Sequence, residues 1–182
     1  MGPRRSIVKV ADADIHTLEL TSPVVVEGEV VTRFSKVKFP LVQVEEVTFE
    51  MDGGEISFLC TEEYANFVAS AEEQVATIIS EKSVEWFGKV ITCDQCEKML
   101  RSVLDGNKNP KHHASGDKLK VFDHEAKPVE HAPPSGVAVP ILRIEGVVFH
   151  EKHCELLWSA VQMKLAEDVS QDDVEPDGWV GN

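Results

Sequence analysis

The sequence predicts an α+β domain with a mainly antiparallel sheet and two helices. Residues 41–60 alternate apolar and acidic side chains around an Asp52-Gly53-Gly54 turn, the pattern of a half-buried β-hairpin. Residues 140–164 form two further apolar-rich runs separated by a short polar turn. Between these regions, two stretches place apolar residues at helical spacing behind a threonine able to cap a helix.

The elements follow in order. The first sixteen residues hold few structural signals. Residues 24–34 are rich in β-branched side chains and read as a strand bent at Gly28. In the hairpin, Val42, Val44, Val47 and Phe49 stand among Glu45, Glu46 and Glu50, and residues 55–60 form the return strand. Thr61 opens a helix expected to run to about residue 80. Glu62 and Glu63 occupy its first turn, where the helix dipole favours negative charge. Tyr64, Phe67, Val68, Ala71, Val75, Ile78 and Ile79 share one face, which packs on the hairpin. Trp86 and Phe87 are then expected in a connector.

Thr92 opens a second helix. Met99, Leu100, Val103 and Leu104 give it an apolar side, and Asp105-Gly106-Asn107 stops it. Residues 107–117, rich in Lys, His and Gly, read as a mobile loop, 118–122 as a strand, and the proline-rich 123–136 as an irregular excursion. The expected organisation is one domain over 1–165 and a disordered acidic tail over 166–182.

Composition narrows the function. The 182 residues are 42% hydrophobic, enough for a sizeable core, with a net charge of −14. The charge is uneven. The tail has six acids and no base, whereas residues 89–120 hold seven Lys/Arg against four Asp/Glu. That basic strip on an acidic body can bind phosphate with strong salt dependence. Four cysteines are sparse for a disulfide scaffold, and no long apolar segment or signal-type stretch is apparent. The expectation is an intracellular protein in a reducing compartment, with no membrane partner.

No Gly-x-Ser-x-Gly, P-loop, His-Glu-x-x-His or dinucleotide fingerprint is present, so the expectation is a non-enzyme without cofactor. Cys93 and Cys96 have metal-ligand spacing, and His150, His153 and Cys154 are conceivable partners. They open a capped helix and lack turn glycines, so half-buried thiols are the preferred reading and no metal is assigned.

Two segments resemble a known family. The first is Ser83-Val84-Glu85-Trp86-Phe87-Gly88-Lys89 ahead of the helix at Thr92. The second is a strand from Pro140 to Phe149 containing Gly146, followed by a strand with Trp158, Gln162 and Lys164. Together they resemble the single-stranded-DNA-binding proteins of nucleocytoplasmic large DNA viruses, over the chain from about Ser83 onward. The resemblance implies an OB-like β-barrel and a sequence-independent role on single-stranded DNA in viral replication, recombination or repair.

The candidate nucleic-acid-binding residues are Lys89, Arg143, Trp158, Lys164 and Trp86. If residues 154–165 form a regular strand, Trp158 shares a face with Cys154, Leu156, Gln162 and Lys164. An aromatic ring beside cations suits base stacking along a phosphate track. For Trp158 a core position closing the barrel is the preferred reading, and for Trp86 and Phe87 a plug at its end. Lys89 precedes a helix start, where backbone N–H groups attract phosphate. The acidic tail resembles those through which single-stranded-DNA-binding proteins recruit replication proteins. A solubilising tail is the plainer reading. The alternative function is a virion structural or adaptor protein on a β-rich scaffold.

Overall fold

The computed structural model describes residues 6–28, 32–105 and 111–167. Most of the expected tail therefore lies outside the described residues. The chain begins with β1 (Ile7–Lys9), β2 (Glu19–Leu20), β3 (Val24–Val26), β4 (Thr32–Lys38) and β5 (Leu41–Gln43), then the hairpin β6 (Val47–Asp52) and β7 (Glu55–Leu59). Helices α1 (Glu62–Phe87) and α2 (Cys93–Met99) follow, with the short strands β8 (Leu100–Arg101) and β9 (Leu104–Asp105). The chain continues through β10 (Lys111–Ser115), β11 (Lys120–Phe122), β12 (Pro128–Val129), β13 (Ser135–Phe149) and β14 (Cys154–Leu165).

Five of these strands close on themselves. β6 pairs antiparallel with β7 and β7 with β10. β10 meets β14 in parallel, β14 pairs antiparallel with β13, and β13 returns antiparallel to β6. Numbered along the chain, the barrel order is 1-2-3-5-4-1 with its third and fifth strands parallel, which is the OB topology. The expected OB-like α+β fold is what the structure shows. β13 spans fifteen residues, so its start borders β6, its middle β5 and its end β4.

Two irregularities bend the β13–β14 pair. Ile141 pairs with Gln162 and Leu142 with Ala160, leaving Val161 as an extra residue. Ile144 pairs with Trp158 and Gly146 with Leu157, leaving Glu145 extra. Each extra residue reverses the in–out alternation beyond it. Cys154, Leu156, Trp158 and Ala160 therefore point inward, as does Met163, while Lys164 is exposed. This corrects the single-phase strand expected from sequence, in which Lys164 shared the face of Trp158 and Met163 lay opposite. At Gly146 the sheet is tight: a Cβ would meet the Ser35 backbone oxygen at 2.6 Å, so the close approach of β4 to β13 at this point needs a residue without one.

α1 is longer than expected, at 26 residues. No glycine or proline interrupts residues 62–87, and Gly88 is the first able to take the left-handed cap, at φ 73°. Trp86 and Phe87 thus form its last turn rather than a connector. Thr61 accepts the Tyr64 N–H at the other end. The buried face presents Tyr64, Phe67, Val68, Ala71, Val75 and Ile79. Tyr64 packs edge-on to His112 of β10, and Phe67 edge-on to Trp158 of β14.

α2 is shorter than expected, at seven residues. Leu100 turns extended because Leu100 and Arg101 pair in parallel with Cys154 and Glu155. Buried Glu72 on α1 then holds the following segment, accepting the Val103 N–H at 2.9 Å and the Ser102 hydroxyl at 2.8 Å. Burial pushes the Glu72 carboxyl above its usual range, against the effect of those two donors. The expected mobile loop at 107–117 contains β10, the third barrel strand; residues 106–110 lie outside the described residues. Tertiary pairing has overridden local propensity at both places.

Candidate nucleic-acid interface

The connector after α1 builds the most distinctive surface. Ser83 Oγ accepts the Ile91 N–H at 3.0 Å, and Ser80 Oγ donates to the Ile91 carbonyl at 2.8 Å. With Gly88 turning the chain and Thr92–Gln95 forming a capping box, Ile91 is pulled into the core. Lys89 and Val90 are left outside, Val90 at 75% exposure.

An open groove of about 820 Å³ runs from this connector to the turn between β13 and β14. Phe87, Met99 and Phe149 are among its apolar side chains, and Arg33, Lys89 and Lys98 supply its cations. Phe87 and Phe149 meet edge-on at 5.3 Å between ring centres, and the Arg33 guanidinium lies 5.7 Å from the centre of the Phe87 ring. Among the described residues, none of the three cations has a carboxylate within ion-pair distance. Among the described residues, Glu151 is the one acid in the lining.

A second groove, also about 820 Å³, lies over the seam between β10 and β14. Its charges differ. Arg143 is 3.6 Å from Glu145, whose Oε1 also accepts the Ser159 hydroxyl at 2.5 Å. His113 is 3.1 Å from Glu55. Asp52, Asp117 and Glu155 outweigh Lys118, so this groove repels phosphate. A third, shallower groove of about 270 Å³ holds Lys164 beside Phe122, Gln162 and Ile141.

The five residues singled out from sequence are therefore dispersed. Lys89 lines the first groove, and Trp86 stands beside Phe87 at 6.4 Å, partly buried against the core. Arg143 lies in the second groove and Lys164 in the third. Trp158 is 3% exposed, held edge-to-face between Phe67 at 6.4 Å and His112 at 4.6 Å. Its ring stands where the core reading of the sequence put it. The basic strip is divided as well: Lys89 and Lys98 reach the first groove, Lys111 faces Glu50 at 3.9 Å, and Lys118 joins the acidic second groove.

Sequence reasoning missed Arg33 and Lys98 as neighbours of Lys89, and it read Phe87 as a plug for the barrel end, not as part of the groove beside Lys89. Arg33 is an exposed position in the alternation of β4, a local signal, but nothing local placed β4 beside the end of α1.

The thiols are equally informative. Cys96 and Cys154 are buried. Burial pushes both thiols up, Cys154 to about 12, with the other thiols adding to the effect. Both are thus poor sources of the free thiolate that redox attack needs. Among the described residues no three His, Cys, Asp or Glu side chains converge on a metal position.

No protein-family model and no curated protein matches the chain. Solved structures similar to it include two of one phage protein. One is a C-terminal truncation of the single-stranded DNA-binding protein from bacteriophage Enc34, with a TM-score of 0.47 and 12% identity, covering 80% of this chain and 95% of that one. The other is that phage protein in complex with single-stranded DNA, with a TM-score of 0.45 and 10% identity, covering 80% and 96%. The OB assignment rests on strand order and register, not on these neighbours.

Proposed function

We propose that this chain is a non-enzymatic, largely sequence-independent single-stranded-DNA-binding protein, and that the strand lies in the first groove. One observation carries the reading: Arg33, Lys89 and Lys98, without carboxylate partners among the described residues, surround the Phe87–Phe149 apolar floor. Cations along a track attract phosphates, and rings or a guanidinium plane beside them accept unstacked bases of any identity. Neither contact reads a base edge, so sequence preference is weak.

The finer proposals follow from the family resemblance. The role is in viral DNA replication, recombination or repair inside the cell, with replication proteins recruited by the acidic residues 166–182. A second reading has its own support. The acidic second groove, around Asp52, Glu55 and Asp117, suits protein contact better than nucleic acid, as an adaptor or virion component would use it.

The test is a fluorescence titration with labelled oligo-dT from low to physiological salt. Lys89→Glu combined with Lys98→Glu should weaken binding by at least about tenfold. Removing two phosphate contacts should also flatten the log–log salt slope by about 1.4. Unchanged affinity in a folded double variant removes the strand from this groove. No binding by the unaltered protein at low salt overturns the function itself.

A further inference from the structure

The third groove carries its own cations and apolar surface, away from the first. It lies on the outer face of the sheet formed by β5, β13, β14 and β11, and strand register sets its layout. Gln43, Ile141, Gln162 and Lys120 stand in one row across the four strands, each opposite the next. Two residues along β13, β14 and β11, a second row holds Val139, Lys164 and Phe122. Residues two apart on a strand share a face, so both rows project to the same side. Phe122, Ile141 and Val139 are half-buried there, and Lys120 and Lys164 are exposed.

This face has the chemistry of a base site. Among the described residues, no carboxylate lines the groove, and neither lysine has one within ion-pair distance. The acids of the neighbouring β11–β12 turn are engaged. Asp123 accepts the Glu125 and Lys127 N–H groups, each at 2.9 Å, and Glu125 faces Lys127 at 3.1 Å. Among the described residues, the side-chain amides of Gln43 and Gln162 have no hydrogen-bond partner in the protein. An aromatic ring accepts a base, a lysine holds its phosphate, and free amides can pair with the base edge. We propose that the third groove is a second nucleotide site, separate from the first groove, holding one unpaired base on Phe122 with its phosphate at Lys164. The nucleotide belongs either to a DNA strand or to a free monophosphate.

Charge and distance keep the two sites apart. Ile141 lines the third groove and Phe149 the first, about 26 Å away along β13 at the usual strand rise. Between them, Glu145 and Glu155 line the second groove. Those carboxylates repel phosphate, so a short strand held in the first groove does not continue into the third. The third groove is also the smaller, at about 270 Å³ against about 820 Å³. With fewer cations, it is the weaker site. It adds a second binding face to the molecule and does not depend on the first groove holding the strand.

The experiment follows the isotope-labelled full chain by NMR at low salt. One arm adds oligo-dT of about eight nucleotides, within the usual span of one OB fold, and the other adds free thymidine monophosphate. The side-chain amide signals of Gln43 and Gln162 should shift only after the first equivalent of oligo-dT, with a Kd at least about tenfold above that of the first groove. Thymidine monophosphate moves the same signals if the site takes free nucleotides and leaves them still if it requires a strand. Lys120→Gln combined with Lys164→Gln should abolish the shifts while first-groove affinity stays within about threefold. Phe122→Leu keeps both cations and should weaken the second Kd by at least about threefold; it serves where the double variant fails to fold. Amide signals that move with neither probe overturn the proposal, as do shifts unchanged in both variants. Movement in step with signals around Phe87 overturns the separation and means one continuous track. Movement of the Gln43 and Gln162 amides with none around Phe87 supports the third groove and removes the strand from the first.

Discussion

Ser115 of β10 and Ser159 of β14 pair in parallel register, and this pairing turns a five-strand sheet into a closed barrel. Above it, β14 pairs with β8 at Cys154 and Glu155; below it, with β11 from Gln162 to Lys164. The seam is therefore closed at one register position and flanked by short strands. The second groove opens over it.

Trp158 should govern stability and not binding. Its indole is enclosed by Phe67 and His112, so Trp158→Ala should cost about 3–5 kcal/mol, the usual loss for a large buried aromatic. Trp158→Phe should fold and keep oligo-dT affinity within about twofold. Chemical denaturation gives the first number and the titration the second. A folded Trp158→Phe protein that loses tenfold in affinity would return this ring to the interface.

His112 should make the protein acid-sensitive. It is fully buried, its Nδ1 bonded to the Tyr64 hydroxyl, and burial lowers its pKa from 6.5 to about 3. The folded state therefore refuses a proton that the unfolded chain accepts below the ordinary imidazole value. The stability it contributes is fully present above pH 6.5 and is lost as pH falls towards 3, at up to about 1.4 kcal/mol per unit. Denaturation midpoints measured from neutral to mildly acidic pH should show this slope. Joint replacement His112→Phe with Tyr64→Phe should flatten it, since neither polar group is then left alone. An unchanged slope would place the acid sensitivity elsewhere.

Arg143 and Lys164 should matter less than Lys89. Arg143 is engaged by Glu145, and Lys164 faces the third groove, so neither adds to the cation cluster around Phe87. Arg143→Gln and Lys164→Gln should each change oligo-dT affinity by less than about threefold, against at least about tenfold for the Lys89/Lys98 reversal. A large loss from Lys164→Gln would mean that the strand continues across β14 and β11.

The sequence by itself determined the features that are decided within a few residues. The Gly53 turn, at φ 63°, and the alternation around it define the β6–β7 hairpin. Thr61 and Thr92 announce both helix starts, because a cap is satisfied by the next three residues. The long β13–β14 pair is legible in its apolar runs. Tertiary structure decided the rest. Lys111 to Ser115 has no strand-like composition and becomes a strand because β7 and β14 supply its hydrogen-bond partners. Leu100 leaves the helix for the same reason, to pair with Cys154. The extra residue Val161 separates Trp158 from Lys164 on β14, and Glu145 shifts the alternation of β13, so that together they set which side chains face water. The groove, too, is tertiary: Arg33, Lys89 and Lys98 come from three separate elements, and only packing sets their charges around one apolar floor.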